Sequence, residues 1–169
     1  MKTSHIARSP WFTLFALFIV SSLVTGCKNS SSTDPDIDPR DQILGTYSGG
    51  FSVTISIASL VGNPETGTSV TTITKASSSK QILVENNYAN GGYIEKVTAE
   101  LQSDGSYLVI DKKADQINVA ALGKKLDSDY TGSAVFDVSN GTFAYTSTAR
   151  AMQTGTEVKR VNTLTGTRK

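Results

Sequence analysis

Phe51, Val53, Ile55 and Ile57 recur at every second position, and Ser52, Thr54, Ser56 and Ala58 fill the gaps between them. An apolar period of two puts alternate side chains on opposite faces of an extended backbone, so this stretch reads as a half-buried strand with its hydroxyls outward. The same texture, β-branched residues alternating with Ser and Thr, returns along the chain. It predicts further strands over Ser69–Lys75, Gln81–Glu85, Tyr93–Gln102, Ser106–Asp111, Gln116–Ala120, Ser133–Ser139, Thr142–Arg150 and Glu157–Thr167. The glycines around Thr46–Gly50 suggest a bulge or bend where the first strand begins. Asn140-Gly141 is the best hairpin signal, because both central residues of a type I′ turn need positive φ. Asp104-Gly105 and Asn90-Gly91-Gly92 mark two more turns. Ala114–Leu126 fits helical spacing at Ile117, Ala121 and Lys124, but its β-branched residues and Gly123 favour strand plus loop. About nine short strands at regular spacing predict an all-β domain, an antiparallel barrel or a β-sandwich.

The N-terminus follows a different pattern. Met1 to Pro10 carries Lys2 and Arg8 and no acid, Trp11 to Val20 is almost wholly apolar, and Ser21 to Gly26 shortens to small residues. A basic start, a short apolar run and a small-residue exit describe a secretory signal. A membrane-spanning helix would need about 20 apolar residues. Val24-Thr25-Gly26-Cys27 resembles the lipobox of bacterial lipoproteins, in which cleavage falls between the residues matched here by Gly26 and Cys27. That resemblance implies a diacylglyceryl thioether on Cys27. One acyl chain holds a protein weakly to a membrane and two or more hold it stably. The expected organisation is a cleaved signal over 1–26, a polar tether over 27–40 broken by Pro35 and Pro39, and a β domain over 41–169. Lys28, rather than an acid, follows the cysteine. By resemblance to lipoprotein sorting this implies a cell-envelope protein on the outer membrane, with its face of that membrane left open.

Cleavage there would also remove the only His (His5) and the only Trp (Trp11). Without His or a free thiol, neither a Ser-His-acid nor a Cys-His arrangement is available, and the usual ligands of zinc are gone. Removing Lys2 and Arg8 leaves 14 basic against 15 acidic side chains, which gives no concentrated basic face for nucleic acid. Lys112-Lys113 and Lys124-Lys125 read as solvated turn residues. Asp34, Asp36 and Asp38 alternate as at the start of an EF-hand loop, but Pro39 and Gly45 stand where that loop needs Gly and Glu. Lys75 with Ser77–Lys80 reads as a polar hairpin loop rather than a Ser–Lys dyad. Glu95 and Glu100, five positions apart, face opposite sides of a regular strand, and Asp127 and Asp129 share a face in what reads as a loop. No metal, no cofactor and no catalytic residue are expected.

Asp38-Pro39-Arg40-Asp41, then Leu44-Gly45-Thr46-Tyr47-Ser48-Gly49, the run TGSAVFDVSNGTFAYTSTAR and the ending LTGTRK are similar to the small lipocalin-like (calycin-like) bacterial lipoproteins. The resemblance covers most of residues 38–169 and implies a single up-and-down barrel closed between its first and last strands. It brings no catalytic motif. Tyr47, Phe51, Phe136, Phe143 and Tyr145 lie on the strands flanking that closure, and Phe136 and Phe143 stand three residues either side of the turn. A barrel of this size is either filled by side chains or hollow enough for one small ligand. With three Phe left after cleavage and no Trp, the filled interior is the expectation. The functional expectation is a lipid-anchored, non-catalytic module that binds a small apolar ligand. The competing reading is an envelope protein whose surface docks a protein partner.

Overall fold

The structure, a computed structural model, describes residues 38–89 and 92–169. Gly26, Cys27 and the signal and tether expected before Asp38 lie outside the described residues, as do Asn90 and Gly91. The strands are β1 (Gly45–Ile57), β2 (Leu60–Val61), β3 (Glu65–Lys75), β4 (Gln81–Tyr88), β5 (Tyr93–Leu101), β6 (Tyr107–Val109), β7 (Ala114–Val119), β8 (Lys124–Asp137), β9 (Thr142–Gln153) and β10 (Thr156–Arg168). All pairings are antiparallel, in the order β10-β9-β8-β6-β5-β4-β3-β1, and β1 returns to pair with β10. That last pairing runs from Tyr47↔Arg168 to Ile57↔Val158 and settles barrel against sandwich: the domain is a closed eight-stranded barrel. The extra strands are β2, a short flap on β1, and β7, which pairs only with β8.

Three local departures have physical causes. The glycines at the start of β1 make no bulge. The register with β10 is unbroken, and a Cβ on Gly49 would stand 1.9 Å from the Thr165 carbonyl oxygen, so the two backbones approach where no side chain fits. Asn140-Gly141 is not a type I′ turn. Asp137 and Thr142 enclose four residues, only Gly141 has positive φ, and the Asp137 carboxylate accepts from the Asn140 backbone and side-chain nitrogens instead. The two-residue turn with both central φ positive is Thr154-Gly155, where Gln153 pairs with Thr156. Asp127 and Asp129 do share an exposed face, but on β8 rather than in a loop, because β8 begins at Lys124.

β6 and β7 lie along different parts of β8, Tyr107–Leu108 against Ser133–Ala134 and Ala114–Val119 against Lys124–Asp129. They are two halves of one interrupted strand. At the interruption Asp111 accepts from the Thr98 backbone N–H at 2.8 Å, replacing a carbonyl that an unbroken ladder would have supplied. Beyond this point β5 has no ladder partner on that side among the described residues, and the barrel wall opens.

One end of the barrel is closed. Ile43, Tyr47, Ile73, Ile82, Ala99, Tyr107, Ala134 and Phe143 are buried there. Phe136 and Phe143 do meet across the hairpin, with ring centroids 5.7 Å apart, and Tyr47 packs on both. A 3-10 turn over Pro39–Gln42 caps this end. Asp38, Pro39 and Arg40, assigned to the tether from sequence, thus belong to the base of the barrel. Arg40 is 7% exposed, and its Nη1 donates to the carbonyls of Ala76, Ser78 and Gln81 while Nε and Nη2 donate to Asp38. The Arg40 side chain, then Lys75, hold the Asp38 carboxyl well below the usual range. At the same end, Arg168 donates to the Gln42 carbonyl and to the Tyr47 hydroxyl.

Candidate functional site

The opposite half of the barrel has a polar interior. Parity along each strand decides which residues enter it. Asn86 and Tyr88 share the inward face of β4 with Ile82 and Val84, and Glu95 shares that of β5 with Val97 and Ala99. Tyr130 and Tyr145 face inward from β8 and β9, and Asn162 from β10. Gly132, between Tyr130 and Ala134, leaves space for the two phenols: a Cβ there would stand 3.0 Å from the Tyr145 hydroxyl and 3.2 Å from that of Tyr130.

Glu95 is the hub. It is 5% exposed, and a carboxylate removed from water persists only when its oxygens are bonded. Its Oε1 accepts from Lys112 Nζ and from the Tyr130 hydroxyl, both at 2.9 Å. Its Oε2 accepts from Asn86 Nδ2 at 3.3 Å and from the Tyr88 hydroxyl at 3.4 Å. Thr71 donates to Asn86 Oδ1 at 2.8 Å, which turns the amide so that its nitrogen faces Glu95. The Tyr130 and Tyr145 hydroxyls lie 2.6 Å apart, and Asn162 Nδ2 donates to the Tyr88 hydroxyl at 2.6 Å. Charge continues outward: Lys112 also pairs with Asp115 at 3.0 Å, and Asp115 with Arg160, which reaches across from β10.

Electrostatics follow from this burial. Loss of water works against the charge of Lys112, but the Glu95 carboxylate and then Asp115 outweigh it and hold the ammonium above its ordinary pKa. The Lys112 ammonium also sits 4.2 Å from the centre of the Tyr130 ring. Burial first, then the Glu95 charge, pushes the Tyr130 hydroxyl up to about 12. The same two causes raise Tyr88 and Tyr145 well above the ordinary phenol value. The network therefore keeps its phenolic protons at neutral pH.

A cavity of about 180 Å³ opens beside this network, lined by Phe51, Val53, Glu65, Tyr88, Tyr93, Glu95, Arg160 and Asn162. Phe51 and Tyr88 meet edge to face at 5.2 Å and Tyr88 meets Tyr93 at 5.6 Å, so three rings form an aromatic wall. Asn162 is 8% exposed, and its Oδ1 is buried without a hydrogen-bond partner among the described residues.

The sequence reading reached some of this. Phe51 does line the cavity, whereas Tyr47, Phe136 and Phe143 fill the closed end. Glu95 and Glu100 are on opposite faces as expected, but the inward one is the hub rather than a bystander. Lys112, which the sequence places in a solvated turn, has a side chain only 21% exposed and turned onto Glu95. The expected filled interior holds for one half of the barrel alone. A signal is present in the alternation: Glu95 stands two residues before Val97, Asn86 two after Val84 and Asn162 two before Leu164.

The chain matches no protein-family model and no curated protein. Among solved structures it is similar to a protein of unknown function from the DUF3598 family of Nostoc punctiforme, at 10% identity and a TM-score of 0.39. The match covers 76% of this chain and 48% of that one, so the chain spans about half the length of that protein. No residue or role is carried over from a likeness so remote.

Proposed function

We propose that the barrel is a non-catalytic binding module for one small ligand, taken up in its open half. The observation that carries this reading is the cavity between the aromatic wall and the buried polar network, with Asn162 in its lining and the buried carbonyl oxygen of that residue without a partner among the described residues. An unbonded buried oxygen costs about 1–3 kcal/mol, and a ligand that donates to it recovers that cost. The lining is mixed, so the ligand is amphipathic rather than wholly apolar. At about 180 Å³ the space is below the range of drug-sized sites and suits a ligand of a few heavy atoms. The binding reading is favoured over an enzyme because both Glu95 oxygens are already taken by four donors. In the reading proposed, acyl chains on Cys27 tether the module to the outer membrane of the cell envelope.

Native mass spectrometry of the full-length protein, purified in detergent from its own host, tests the module. A small molecule co-purifying with the wild type, and absent from an Asn162→Leu variant that is still folded, is the expected result. Cys27→Ser is expected to release the protein from membranes, and unchanged membrane association of that variant would remove the anchor from the reading.

A second reading has one observation behind it. Leu60 and Val61 on the β2 flap are 76% and 72% exposed beside a shallow apolar groove with Ile55, Ile57, Val119 and Ala120, a surface suited to a protein partner.

A further inference from the structure

We propose that the ligand is a small organic cation, a primary ammonium with a short apolar body; the proposal rests on the binding reading above and names its ligand class. Three independent features of the cavity agree on the sign of the charge. The first is hydrogen-bond polarity. Apart from Arg160 Nε and the hydroxyl of the exposed Tyr93, the donors around the cavity are engaged: the terminal nitrogens of Arg160 go to Asp115 and the Gln116 carbonyl, Asn162 Nδ2 to Tyr88, and the Tyr88 hydroxyl to Glu95. What is left over is an acceptor, Asn162 Oδ1, buried and unpartnered. A ligand that brings donors fits this site, and a simple carboxylate, which brings none, does not.

The second feature is charge. Glu65, Glu95 and Asp115 supply three carboxylates to the cavity and its network, against two cations, Lys112 and Arg160. The cations are matched by Glu95 and Asp115. Glu65, at the rim on β3, has no ion pair among the described residues, which leaves one negative charge for a ligand to meet. The third is the wall. Phe51, Tyr88 and Tyr93 follow one another along the cavity from the buried interior to the exposed rim, and a cation near a ring face is attracted by its quadrupole, more strongly when partly desolvated. The alkyl part would lie against Val53 and Phe51, and the ammonium beside Glu65, on the side of the cavity that Asn162 lines.

The test is calorimetric titration of the full-length chain in detergent with n-butylammonium, and in parallel with butan-1-ol and butanoate as neutral and anionic counterparts. The expected result is saturable binding of n-butylammonium, at least tenfold weaker binding of butan-1-ol and none of butanoate. Glu65→Gln is expected to weaken n-butylammonium about tenfold and leave butan-1-ol unchanged. Tyr93→Leu is expected to weaken it about threefold, in keeping with one exposed cation–ring contact. Glu65 and Tyr93 are exposed side chains at the rim, so both variants should fold. Butan-1-ol binding as tightly as n-butylammonium, or a Glu65→Gln variant with unchanged affinity, would overturn the cation while leaving a binding module. Absence of saturable binding for all three probes would overturn both.

Discussion

The two halves of this barrel solve the same problem in opposite ways. At the closed end the interior is apolar and solid: Tyr47, Phe136, Phe143 and Tyr107 interlock, and the polar groups that enter do so from the rim, Arg40 donating to backbone carbonyls and Asp38 and the Arg168 Nη2 to the Gln42 carbonyl and the Tyr47 hydroxyl. At the open end a carboxylate sits in the middle of the interior and the surrounding side chains are arranged to satisfy it. Filling with rings is the route to stability, because each buried aromatic removes a large apolar area from water. A buried charge network contributes little net stability compared with apolar filling. Its place in the middle of the interior, next to a cavity, marks the half whose filling contributes less to stability.

That contrast predicts a gradient of mutational cost. Tyr47→Ala, which empties the closed end and removes the hydroxyl that donates to Ile43, should cost about 3–5 kcal/mol in chemical denaturation. A loss under about 1 kcal/mol would mean that the base is not the stability core. Lys112→Met should cost less, about 2–3 kcal/mol, because it leaves Glu95 buried without its cation, although Lys112 itself is partly exposed. Adding Glu95→Gln to that variant should recover part of the loss; strictly additive losses would show that the two residues do not act as a pair.

Alkaline pH should weaken the fold, in part through the buried phenols of the open half. The buried Tyr130 keeps its proton up to about pH 12, whereas an unfolded tyrosine loses it near pH 10. Below pH 10 both states hold the proton and stability is flat. From about pH 10 the unfolded state alone releases it, so stability falls as pH rises towards 12. The raised pKa of Lys112 acts in the same direction, its contribution being present below its unfolded pKa and lost above. Unfolding free energies measured from pH 9 to pH 11.5 should therefore decline, and Tyr130→Phe should decline less steeply; parallel curves would sink the assignment. The smallest effect expected is from Tyr145→Phe, about 1 kcal/mol, since it removes one hydroxyl contact while Tyr130 keeps Glu95.

Much of the barrel was legible from residue order. Period-two alternation located the long strands, and the resemblance of the DPRD segment and the last hairpin implied closure between first and last strands, which the β1–β10 register bears out. Turn chemistry was less legible. Asn140-Gly141 looked like a type I′ turn because Asn tolerates positive φ, but the Asp137 carboxylate offered those nitrogens a better geometry. Thr154-Gly155, which has the two-residue turn, carries no Asn or Asp to announce it.

By itself the sequence determined the strand texture, the parity that sends Glu95, Asn86 and Asn162 inward, and the absence of His and Cys chemistry from residues 38–169. Those are local or compositional facts, set by a period of two and by counting. Only the tertiary structure decided that β6 and β7 would break where they do, that the break would deliver Lys112 to Glu95, and that residues from β1, β3, β4, β5 and β10 would leave a cavity between them. Those are long-range matters, because register around a closed barrel is set by all eight strands at once, and no single stretch of chain carries that information.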